Sequence, residues 1–197
     1  YCARKDFSGA ERHLKYWLEE AKYTNDLRGQ FSMHNEMMGF YRKQGQFEKA
    51  CAHVDEAIRV MHELGNEDSP AAGTCYVNCG TVYDSFAMPK EALGYFEKAK
   101  VIYDHAEHRD YFKIASLENN MALALADLGR FSEAEIQYRQ ALADLCKIKG
   151  GELEMAITYM NMADAAAMQR GLDDAKDEIS NYLKQAYSLI LTESLPR

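Results

Sequence analysis

The 197-residue sequence has only three prolines and one tryptophan, and its twelve glycines are scattered. This scarcity of turn residues argues against an all-β or loop-rich fold, which needs frequent chain reversals. No apolar stretch approaches the roughly 20 residues that span a bilayer, and no segment reads as a secretory signal. Runs of one charge sign are also missing, and the net charge is −8. Phosphate backbones need a concentrated basic surface, so nucleic acid is not the expected partner, and neither is a membrane. The densest acidic group, Asp173-Asp174 with Asp177-Glu178, reads as a solvated helix face. Five cysteines, an odd number at irregular spacing, do not form a disulfide framework, and they point to a reducing, cytoplasmic compartment.

What is abundant is the set of good helix formers: Ala, Leu, Met, Glu, Lys and Gln fill the stretches between punctuation marks. A pattern then returns along the chain. Gly45-Gln46-Phe47-Glu48-Lys49-Ala50 reappears as Gly129-Arg130-Phe131-Ser132-Glu133-Ala134, with Ala87-Met88-Pro89-Lys90-Glu91-Ala92 between them. Lys5-Asp6-Phe7-Ser8-Gly9-Ala10 precedes these copies and Arg170-Gly171-Leu172-Asp173-Asp174-Ala175 follows them. The five alanines stand 40, 42, 42 and 41 residues apart. Four positions beyond each comes a larger residue: Leu14, Val54, Phe96, Tyr138 or Ile179.

A second motif lies ahead of the alanines. It reads Tyr76-x-x-Cys79-Gly80-x-x-Tyr83, Glu118-x-x-Met121-Ala122-x-x-Leu125 and Tyr159-x-x-Met162-Ala163-x-x-Ala166, with His34-x-x-Met37-Met38-x-x-Tyr41 the weakest copy. Small residues at such spacing let two helices approach to about 8–10 Å, while the large ones fill the space beside them. Met38 breaks the rule, so the first pair is expected to be wider or shifted by one residue toward Gly39.

Together the two motifs resemble the tetratricopeptide signature, W-x-x-L-G-x-x-Y followed by A-x-x-x-F. The period near 42 is similar to the long-repeat subclass of kinesin light chains and bacterial peptide-sensing regulators. The resemblance implies an all-α fold, a right-handed α-α superhelix of antiparallel helix pairs. Its expected organisation is one array over 1–197: a half repeat at 1–25, then repeats at 26–67, 68–109, 110–150 and 151–192. Outer helices are expected near 6–23, 46–64, 89–107, 131–148 and 172–191, and inner ones near 27–43, 70–86, 110–128 and 152–169. At one junction Gly65 stops a helix, Ser69 caps the next and Pro70 opens it. The chain starts at Tyr1, where a preceding inner helix would end, so a longer parent is expected.

Motifs for catalysis are missing: there is no P-loop, dinucleotide fingerprint or H-E-x-x-H. No enzyme activity, cofactor or metal is expected. Cys75 and Cys79 lie one turn apart, and a metal there would need Cys51 or His53 as well. Two small buried hydrophobes are the simpler reading. The histidines show no ligand spacing, and His105 and His108 fall at a helix end.

The resemblance implies that protein segments or extended peptides bind along the inner helices. The stripes between packing positions are Ser32, Glu36, Gly39 and Lys43; Thr74, Asn78, Thr81 and Ser85; Ser116, Asn120, Leu123 and Asp127; and Ile157, Asn161, Asp164 and Met168. Asn78, Asn120 and Asn161 are in register, with Asn35 and Asn119 one position earlier in their helices. Each asparagine carries a donor and an acceptor that can bond a peptide backbone whatever its sequence. Alternatively, the asparagines tie neighbouring repeats together. Thr74, Thr81, Ser116 and Asp164 complete the candidate groove. Its only basic residues are Lys43 and Arg42, which departs from the lysine/asparagine clamp of some co-chaperones. Two other functions compete with peptide binding: self-association through apolar surfaces at the array ends, and a targeting segment within a larger enzyme or regulator.

Overall fold

The structure, a computed structural model, describes residues 7–194, with side chains described up to 191. Among the described residues are nine helices and no strand: α1 (Phe7–Tyr23), α2 (Leu27–Lys43), α3 (Phe47–Glu63), α4 (Pro70–Ser85), α5 (Pro89–Asp104), α6 (Tyr111–Asp127), α7 (Phe131–Leu145), α8 (Glu152–Arg170) and α9 (Lys176–Ser194). Helices hold 81% of the chain described, which leaves room for little but tight turns. The first expected inner helix, ending near Tyr1, lies outside the described residues. The chain divides into two compact units, one ending at Ile102 and one beginning at Tyr103.

The turns repeat one piece of backbone chemistry. Asn25, Gly45, Ala87 and Gly129 all have positive φ, at 53°, 68°, 57° and 73°. The next residue's N–H reaches back to the helix just ended, as from Asp26 to Ala21, Gln46 to Tyr41, Met88 to Tyr83 and Arg130 to Leu125, at 2.8–3.0 Å. This closes the orphan carbonyls of the helix end and reverses the chain in three residues. The longer junctions use side chains instead. Ser69 accepts from the Ala72 N–H at 3.1 Å, ahead of Pro70 in the first turn. Asp26 and Asp110 cap α2 and α6 in the same manner.

In the first unit, α1, α2, α3 and α4 enclose a core built on Ala10, Leu18, Met37, Met38, Ala50, Val54, Cys75 and Cys79. The recurring alanines are buried throughout, and each central outer helix carries a second one seven residues on: Ala50 and Ala57, Ala92 and Ala99, Ala134 and Ala141 are all fully inaccessible. Two turns apart, they share a face and let the paired helix come close. Gly80 shows how close: a Cβ there would lie 2.3 Å from the Phe96 ring. Met38 is also fully buried, while Gly39 has open space where a Cβ would go. The register is therefore not shifted toward Gly39. Val54, smaller than Phe96 at the matching position, leaves room for the methionine in the same core.

In the second unit α6 packs on α7 around Ala115, Ala141 and Leu145, with Ile148 and Met155 at the edge, and α8 packs on α9. α9 begins at Lys176, four residues later than the periodicity predicts, because Leu172 to Ala175 form turns.

Candidate peptide-binding cleft

All sixteen stripe residues are at least partly accessible, whereas the motif residues beside them are largely buried. In the first unit the stripes of α2 and α4 meet the N-terminal part of α1 across a cleft of about 580 Å³. Ala10, Leu14 and Phe40 supply an apolar wall. Asn35, Asn78 and Thr81 supply neutral polar groups, and Arg42 and Lys43 stand at one end with Glu36 and His13 nearby. The two cations lie in the last turn of α2, where they also offset the partial negative charge of the helix terminus.

The asparagines are not independent. Asn78 Nδ2 donates to Asn35 Oδ1 at 3.1 Å, from α4 to α2. One turn-pair further along, Arg42 Nη1 donates to Ser85 Oγ at 3.2 Å. Two inner helices are thus tied at two levels. In the second unit Asn161 Nδ2 donates to Asn119 Oδ1 at 3.2 Å. Each tie consumes one donor and one acceptor lone pair, and leaves the Asn78 carbonyl and the Asn35 amide free to bond something else. Asn120 differs. It is half-buried and has no hydrogen-bond partner among the described residues. Its counterpart one repeat earlier and one position back is Val77, where Asn35 and Asn119 stand in their own repeats. Thr74 and Thr81 donate their hydroxyls to their own helix, to the Pro70 and Val77 carbonyls. Ser116 and Asp164 are exposed.

Cys75 and Cys79 are fully buried. The neighbouring Cys75 thiol and burial push the Cys79 thiol well above its ordinary value, so it stays protonated. Neither further candidate ligand joins them. Cys51 lies against Tyr83, and His53 turns to another histidine. Among the described residues no group of three or more His, Cys, Asp or Glu converges, and none of the helices is long and apolar enough to cross a membrane.

One cluster escaped sequence reasoning. His34 on α2 and His53 on α3 meet Nδ1 to Nδ1 at 2.8 Å. The Tyr41 ring stacks on His53 with 8° between planes, and the Tyr41 hydroxyl donates to Glu11 of α1 at 2.9 Å. His34 occupies the aromatic position of the inner-helix motif, which made it look like a packing residue only.

A tetratricopeptide repeat model matches residues 30–104, and a second tetratricopeptide repeat model matches residues 115–148. No curated protein matches the sequence. Among solved structures, the chain is similar to BtubC (BKLC) from P. vanneervenii, with 17% identity and a TM-score of 0.82 over 99% of this chain and 79% of that one. It is also similar to a Podosopora anserina putative kinesin light chain with nearly identical TPR-like repeats, with 14% identity and a TM-score of 0.76 over 98% of this chain and 92% of that one. At these identities the likeness shows a shared fold. With the two family matches, which together span more than half of the sequence, it leads to one conclusion: the chain belongs to the tetratricopeptide repeat family.

Proposed function

We propose that this chain is a protein- or peptide-binding scaffold, and that the cleft between α1, α2 and α4 is its principal contact site. Tetratricopeptide repeats generally mediate protein–protein interaction. The observation that carries the assignment to this cleft is the Asn35–Asn78 pair. It presents one unspent donor and one unspent acceptor beside Arg42 and Lys43, in a cavity with an apolar wall. An extended segment can bond its backbone to the pair, set an aliphatic side chain on Leu14 and Phe40, and offer a carboxylate to the cations. In the second unit Asn120, half-buried on α6, is by itself a candidate contact of the same chemistry. In this reading the chain works by binding rather than by catalysis, in a reducing, cytoplasmic setting where Cys51, Cys75, Cys79 and Cys146 remain thiols.

Selecting a random peptide library against the full chain at pH 7.5 tests this reading. Selected peptides should carry acidic residues, and Arg42→Glu with Lys43→Glu should abolish their binding while lowering stability only by what the lost Arg42–Ser85 bond and the charges at the end of α2 cost, about 1–2 kcal/mol. Binders indifferent to that reversal would move the site elsewhere.

Self-association is a second reading with its own observation. Leu172, Leu183 and Tyr187 on and beside α9 are 72%, 46% and 64% exposed, and Tyr16, Trp17 and Tyr23 of α1 are exposed as well. Light scattering showing a concentration-dependent dimer, lost in Leu183→Glu/Tyr187→Glu, would favour it.

A further inference from the structure

We propose that the His34–His53 pair is an acid-sensitive latch that holds α1 against α2, and so controls one wall of the cleft. The proposal rests on the cleft being the binding site, and it adds how that site is regulated.

A neutral imidazole has one N–H and one acceptor nitrogen, so a bond between two Nδ1 atoms requires one ring to donate and the other to accept. His34 Nε2 is buried with no partner. An unmet N–H there would be costlier than an unmet lone pair, which assigns the proton of His34 to Nδ1. His34 then donates, and His53 accepts on Nδ1 and carries its own proton on Nε2. An incoming proton finds no convenient site. One acceptor nitrogen is occupied by the bond, and the other is enclosed in the core. Charging the pair means breaking the bond or burying an imidazolium.

The surroundings do not compensate. From α1, Lys22 acts on both rings and Lys15 on His53, each against a positive charge; from α3, Arg59 acts against one and Glu56 in favour. From α2 the neutral Tyr41 ring covers His53. Burial and these cations hold His34 down at about 4 and push His53 below the ordinary histidine value. The sign follows: the pair stabilises the folded form above the ordinary histidine pKa, and that stability is lost as the pH falls from there toward about 4.

Tyr41 connects the pair to the cleft. It stacks on His53 and donates to Glu11, which Lys15 also holds at 2.7 Å. Glu11 adjoins Ala10, and Ala10, His13 and Leu14 are the part of α1 that lines the cleft. Separating the two rings removes the support under Tyr41 and frees α1.

Hydrogen–deuterium exchange of the full chain at pH 7.5 and 5.5, corrected for intrinsic rates, tests the latch while carboxylates stay ionised. A proton taken up only by the open form lowers the protection of α1 and α2 about tenfold over this interval, with α7 and α9 unchanged. His34→Gln/His53→Gln should remove the difference. Should that variant not fold, side-chain NMR of the wild type decides: a His34 ring still neutral at pH 5.5 supports the latch, and rings titrating near pH 6.5 with α1 protection unchanged overturn it. Equal loss of protection in α7 and α9 also overturns it. A peptide selected at pH 7.5 should weaken at pH 5.5 by the factor by which the closed fraction read from exchange falls. If no peptide binds at pH 7.5 the binding reading fails, while the exchange experiment still judges the latch.

Discussion

Gly80 of α4 lies directly against the Phe96 ring of α5: the ring occupies the place a Cβ would take, 2.3 Å from where that carbon would be. Gly80→Ala should therefore destabilise the chain by about 1–3 kcal/mol, the usual range for an overfilled core. Gly94, with open space around it in α5, is the internal control. There alanine should stabilise by about 0.5–1 kcal/mol through helix propensity. Chemical denaturation of both variants checks the pair. Ala92→Phe and Ala134→Phe, at fully buried positions, should resemble Gly80→Ala or be worse.

Ala87 holds a φ of 57° in the turn between α4 and α5, where the matching turns use Gly45 and Gly129. A left-handed conformation costs a residue with a Cβ roughly 1–2 kcal/mol. Ala87→Gly removes that strain at some cost in unfolded-state entropy, so a net gain of about 0.5–1 kcal/mol is expected. A melting temperature that falls would show the alanine methyl to be packed rather than strained.

The inner-helix asparagines should separate by role. Asn78→Ala and Asn161→Ala each lose a bond between inner helices and should cost about 0.5–1.5 kcal/mol of stability. Asn120→Ala loses no intramolecular bond and should keep the parent Tm. For a peptide that binds the second unit the same change should weaken affinity about two- to tenfold. Measured together, melting and titration distinguish a tie from a contact.

Thiol chemistry follows burial. Cys146 is exposed, Cys51 half-buried, and Cys75 and Cys79 enclosed. Burial raises the Cys51 thiol, and the hydrogen bond with Cys75 together with burial raises that of Cys79. An alkylating reagent at pH 7.5 should label Cys146 rapidly, Cys51 slowly, and Cys75 and Cys79 only after denaturation, as read by mass spectrometry. Fast labelling of Cys79 would mean that α4 opens far more often than its packing implies.

The fold was legible because the repeat is written in small residues. Ala50, Ala92 and Ala134 recur at one interval, and a face that must be small at every copy leaves a period that tertiary context cannot blur. Turn chemistry was equally local, as Gly65, Ser69 and Pro70 show. The His34–His53 bond was not legible, since it depends on how two helices are rotated about their axes and nothing in the spacing of 19 residues encodes that. The asparagine ties lay in between. Asn78 and Asn161 stood out in register, but their partners Asn35 and Asn119 are offset by one position, and only the packing of neighbouring inner helices shows that the offset closes a bond.

The match between Gly80 and Phe96 has a bearing on recombination. Met38 and Val54, Gly80 and Phe96, Ala122 and Tyr138, and Ala163 and Ile179 each lie 16 residues apart on consecutive helices, and the bulk lost on one side reappears largely on the other. A recombination between α4 and α5 would separate such partners. Joined to the wrong neighbour, Met38 would face Phe96 and collide with it, while Gly80 would face Val54 across a void costing about 2–4 kcal/mol. A break in the loop after an outer helix keeps both partners together. Chimeras joined at the junctions around Gly65, His108 or Gly150 should therefore fold, and those joined between α4 and α5 should not.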